Sequence, residues 1–82
     1  MTYQDALDYL RIAENAYNVQ AYSESAEIVE KLAYFAVDIE NGLSSQQRVE
    51  IIEAVKRAIG RFTFCPDEYI WEKGQQQSQR LA

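Results

Sequence analysis

Between two runs of apolar residues spaced three and four apart lies the stretch Asn41-Gly42-Leu43-Ser44, with Gln47 three residues beyond the serine. Each part of it ends or begins a helix. Asn-Gly supplies the left-handed residue that closes a helix C-terminus, and Leu43 just after it can fold back onto the last turn. Ser44 and Gln47 have capping-box spacing, in which each side chain satisfies a backbone N–H at the other position. Helices joined by so few residues turn back on one another as antiparallel neighbours. No segment alternates with period two, the signature of a half-buried strand. The chain is therefore expected to be all-α.

The flanking stripes give that hairpin its buried faces. Upstream, Ile28, Val29, Leu32, Ala33, Phe35, Ala36 and Ile39 recur at helical spacing, with Ser23 or Ser25 as the expected N-cap. Downstream, Val49, Ile51, Ile52, Val55, Ala58, Ile59 and Phe62 do the same. An earlier helix starts at Thr2, which is spaced from Asp5 as a capping box, and carries Tyr3, Ala6, Leu7, Leu10, Ala13 and Tyr17 on one face. After Phe62 the pattern breaks at Phe64-Cys65-Pro66. Pro66, followed by Asp67 and Glu68, suits the first position of a new helix. Tyr69, Ile70 and Trp71 can dock that short helix before Gly74 stops it. The expected architecture is a small helical bundle, three main helices plus a short C-terminal one. Residues 1–74 form its single domain and 75–82 a polar, frayed tail.

Size and composition narrow the function. Eighty-two residues allow one domain, and 48% apolar with 26% charged residues is ordinary for a globular chain. The longest uncharged apolar run, Leu32 to Val37, falls far short of the roughly 20 residues of a membrane-spanning helix. Met1-Thr2-Tyr3-Gln4-Asp5 lacks the basic start of a secretory signal, and the lone Cys65 suits a reducing compartment, so a cytoplasmic protein is expected. The net charge of −5 disfavours nucleic acid and anionic membranes as partners. That charge is uneven: residues 1–40 carry eight acids and two bases, residues 41–82 five acids and six bases.

Chemistry has few resources here. No His is present, so a Ser or Cys nucleophile lacks its usual base, and the three Gly are isolated, so no phosphate-cradling loop exists. Carboxylates remain. Glu27-x-x-Glu30 and Glu50-x-x-Glu53 put paired oxygens on two helices, a donor set that suits Mg²⁺. The pattern resembles that of the all-alpha nucleoside-triphosphate pyrophosphatases, in which Glu-x-x-Glu is followed by Glu-x-x-Asp; Glu53 stands where that family has Asp. The resemblance implies a helical bundle that holds Mg²⁺ and processes nucleotides. The stripes imply otherwise, because all four glutamates lie opposite the apolar faces and point outward in different directions. No cofactor is expected.

Apolar residues off the main stripes point to association instead. Ile12 and Val19 lie two turns apart, well round the first helix from Leu7, Leu10 and Tyr17, with Tyr9 and Ala16 between. A helix apolar over so much of its circumference is central in the fold or covered by another molecule. Tyr34, on the acidic outward side of the second helix, adds a ring of the kind enriched at interfaces. Tyr9, Ile12, Val19 and Tyr34 are thus the candidate partner-binding residues. The expected function is a non-enzymatic protein–protein interaction module, a regulator, adaptor or inhibitor able to pair with itself. Nucleotide processing and an acidic decoy for a nucleic-acid-binding partner stand as the alternatives.

Overall fold

The computed structural model describes all 82 residues, as four helices in up-down-up-down order. They are α1 (Tyr3–Asn18), α2 (Tyr22–Val37), α3 (Ser45–Phe62) and α4 (Glu68–Leu81). No helix is long and apolar enough to cross a membrane. α1 packs chiefly on α2, while α4 lies across both α2 and α3. α1 and α3 run side by side with only slight contact, and α1 does not touch α4.

Local chemistry sets most helix ends. Thr2 and Asp5 form a full capping box, and so do Ser44 and Gln47. Gly42 takes the left-handed conformation at φ 76°, which a residue with a Cβ rarely adopts. It does so in the loop and does not close α2, which has already ended at Val37 with Asp38 in extended backbone as its C-cap. Asn41 binds the turn together, its amide donating to the Phe35 carbonyl at 2.8 Å and its side-chain oxygen accepting from the Leu43 N–H at 3.0 Å. Arg48 reaches back from α3 and donates to the carbonyls of Ala36 and Asp38, both at 2.9 Å. A cation thus closes the negative end of α2, where the last carbonyls lack partners.

Several expectations are corrected. α2 begins after Ala21 without a side-chain cap. Neither serine serves there; Ser25 is buried and donates to the Ala13 carbonyl at 2.8 Å. The tight turn before it relies on Gln20, left-handed at φ 66°. α2 also ends at Val37, so Ile39 leaves the helical period and stands open to water. Val49, on the outer side of α3, is exposed as well. Pro66 is not the first residue of α4, which is capped by Asp67 through a 2.9 Å bond from the Tyr69 N–H.

The largest correction is at the C-terminus. Gly74 does not stop α4, which continues through Leu81, with Gly74, Gln77 and Leu81 buried. Gly74 sits where two helices approach closely: a Cβ there would lie 3.2 Å from that of Phe62. The polar residues on either side of it are held by partners on α2. Lys73 pairs with Glu30 at 3.0 Å, and the Gln77 amide donates to the same carboxylate at 3.3 Å. Arg80 donates to the Gln77 side-chain oxygen and to the Tyr34 hydroxyl.

The core lies between these helices. Val29, Leu32, Ala33 and Ala36 of α2 meet Ile51, Val55, Ile59 and Phe62 of α3, with Ile70 and Leu81 closing it from α4. Cys65 is a free thiol packed at its edge.

Candidate functional site

α1 brings only Ala6, Ala13 and Ala16 fully into the interior. Small side chains let its backbone lie close to α2. Its larger apolar residues flank this alanine seam and stay partly open on both sides.

One flank is the strip read from the sequence. Tyr9, Ile12 and Val19 are 40, 47 and 75% exposed. Tyr9 and Ile12 come together in a shallow depression with Met1, Asp5 and Asp8. Val19 caps the C-terminus of α1 and carries the strip two turns further. Tyr34 does not join them. It faces α4, where the Arg80 guanidinium lies 3.9 Å from its ring centre and donates to its hydroxyl at 2.9 Å. The tyrosine expected to reach for a partner is engaged by the chain's own C-terminal helix.

The other flank was hidden in the expected core stripe. α1 and α3 are tied at both ends. At one end the Tyr3 hydroxyl donates to Glu50 at 2.6 Å. At the other, the Tyr17 hydroxyl donates to the Arg61 carbonyl at 2.8 Å, and the Arg61 guanidinium donates to Asn18 at 2.6 Å. Arg61 also lies 4.5 Å over the Tyr17 ring and 3.7 Å from Glu14. Between these ties the walls part, leaving a cavity of about 580 Å³. Leu7, Leu10, Ala13, Ala54, Ala58 and Phe62 give it an apolar lining, and Arg11, Glu14, Arg57 and Arg61 line it with charge. The only sequence signals for this groove are Ala54 and Ala58, one turn apart, where larger residues would close the gap.

Proton chemistry reports on the Tyr3 tie. The hydrogen bond to the Glu50 carboxylate, then desolvation and the negative charge itself, raise the Tyr3 phenol above its ordinary 10.0. A raised folded-state value means that the contribution is complete below pH 10 and is lost as pH climbs through the raised value. Absorbance titration at 295 nm is expected to show a delayed phenolate step that vanishes in Tyr3→Phe. If the phenol lost in that variant is one that titrates with the other five and not a delayed step, the tie does not form.

The four glutamates are not gathered. Glu30 is held by Lys73 and Gln77 on the α2–α4 seam, and Glu27 lines the same shallow hollow as Glu30 and Lys73. Glu50 holds Tyr3 on the α1–α3 side and also accepts from Gln46 at 3.4 Å, while Glu53 points to solvent. No group of three or more His, Cys, Asp or Glu side chains is placed to share a metal ion. The hydrogen bond and charge of Glu30 raise the Lys73 ammonium above its ordinary value, keeping it charged as a structural ion pair. Compared with known proteins, the chain matches no family model, no curated sequence and no solved structure.

Proposed function

We propose that the chain is a small, non-enzymatic, cytoplasmic protein–protein interaction module whose docking surface is the outer strip of α1. One observation carries this reading: α1 spends alanines on its own core and turns Tyr9, Ile12 and Val19 toward water. Apolar side chains grouped in this way favour a covering partner. The unpaired Cys65 supports a reducing compartment. A second copy is the simplest partner, joined strip to strip about a two-fold axis.

Burying Ile12 and Val19 across such an axis contributes about 3–5 kcal/mol before the cost of association, so Tyr9 has to be covered with them. Asp5 and Asp8 border the strip and would approach their own copies across the axis. Added salt screens that repulsion, so association is expected to tighten with ionic strength. Sedimentation equilibrium at high micromolar concentration is expected to show wild type associating and the Ile12→Glu, Val19→Glu double variant as a folded monomer. If both are folded monomers, the strip is not a self-association surface.

A further inference from the structure

On the opposite flank of α1, we infer that the α1–α3 groove is a binding site for an amphiphilic anion, a carboxylate or sulfonate on an apolar body of about a dozen carbons. The inference does not depend on the outer strip, which uses different residues. Three properties of the groove define the ligand.

Its length and volume set the size. The lining runs along α1 from Leu7 to Tyr17, ten helical steps and so about 15 Å of helix. The Tyr3–Glu50 and Asn18–Arg61 ties bridge its two ends. A docking helix is about 10 Å across with side chains and needs a trough open at its ends, which these bridges deny it. A cavity of about 580 Å³ matches the range occupied by small molecules.

Its lining sets the apolar body. Leu10, Ala13, Ala58 and Phe62 present carbon to the interior. Ser25, the one hydroxyl among the lining serines and threonines, already donates to the Ala13 carbonyl and demands nothing of a ligand.

Its charges set the headgroup. Arg61 is matched by Glu14, which leaves Arg11 on the α1 wall and Arg57 on the α3 wall facing the same space. Arg57 makes no ion pair, and Arg11 has only a loose 3.6 Å contact with Asp8, which is not part of the groove. Two guanidinium forks on opposing walls create a cationic mouth in a chain whose net charge is −5. Guanidinium is the group best shaped to hold a planar carboxylate.

The test titrates the full chain with dodecanoate below its micelle concentration, followed by amide chemical shifts, alongside hexanoate and dodecyltrimethylammonium. Dodecanoate is expected to bind saturably at one site, shifting Leu10, Ala13, Ala54 and Ala58. Hexanoate and the cationic chain are each expected to bind at least about tenfold more weakly. Arg11→Met with Arg57→Met is expected to lower dodecanoate affinity at least about tenfold. Ala54→Phe, which fills the groove and leaves both arginines in the chain, is expected to abolish binding, with circular dichroism showing that both variants stay folded. Equal binding of the cationic chain, shifts centred on Tyr9 and Ile12, or no saturable binding would overturn the assignment. So would an acidic amphipathic 14-residue peptide that displaces dodecanoate at these residues and binds more tightly, because the groove would then be a peptide site.

Discussion

Phe62→Ala is expected to cost about 3–5 kcal/mol, the largest single-residue loss in the chain. The ring is 2% exposed and joins three helices. It lies 5.8 Å from the Tyr17 ring of α1, centre to centre, and its Cβ forms the close approach to Gly74 of α4. Truncating it leaves a cavity that α1 cannot collapse into, because the Tyr17 hydroxyl anchors that helix to the Arg61 carbonyl. A domain of this length has a total stability of roughly 4–12 kcal/mol, so the loss takes between about a quarter of it and all of it. Leu32→Ala, also fully buried, is expected to cost about 2–5 kcal/mol, and the half-buried Ile52 less. Urea unfolding checks all three. A loss below about 1 kcal/mol at Phe62 would place its ring at the surface.

Deleting residues 75–82 is expected to be nearly as damaging, on the order of 3 kcal/mol, although their composition is that of a tail. Leu81 leaves the core with the deletion, and Glu30 loses its bond from Gln77. Tyr34 loses the Arg80 cation that stacks on it. The remaining α4 stub would retain Ile70 but only one full turn beyond it. Thermal melts followed at 222 nm are expected to show lower helix content and a lower midpoint. Gln76→Ala and Ser78→Ala, both at exposed positions, are expected to change neither. Full stability in the truncated chain would restore the frayed-tail reading.

These results separate what was legible in the sequence from what was not. The α2–α3 hairpin could be read because its signals are local: Asn41, Gly42, Ser44 and Gln47 act on backbone groups within a few residues. The C-terminal helix could not. Gln77 and Arg80 gain their order from Glu30 and Tyr34, more than forty residues away, and no propensity counts such partners. Gly74 looks like a stop by propensity, yet it sits inside α4 at a close helix approach, where a Cβ would crowd that of Phe62 at 3.2 Å. Ile39 continues the apolar count of α2, but the backbone leaves the helix before reaching it.

The two faces of α1 show the same division. Periodicity marked both of its apolar sides, since side-chain direction follows from spacing alone. It assigned Leu7, Leu10 and Tyr17 to the core as the stronger stripe; Leu10 and Tyr17 do pack against the buried cluster, while Leu7 stays exposed. Periodicity cannot tell whether a neighbouring helix closes over such a face. Here α1 leans on α2 through its alanines, and the tyrosine ties hold α3 beside it without filling the space between. Tyr9, Ile12 and Val19 were legible as a surface strip; the groove on the other flank was not.

Central to the functional reading is that the outer strip of α1 contributes nothing to the chain's own core. Urea unfolding of the Ile12→Glu, Val19→Glu variant against wild type tests this most directly, at about 1 μM so that self-association does not add to wild-type stability. The expected result is a free energy of unfolding within about 0.5 kcal/mol of wild type, with the same denaturant slope. A loss of more than about 2 kcal/mol would place both side chains in the core and leave no surface for a partner to dock on.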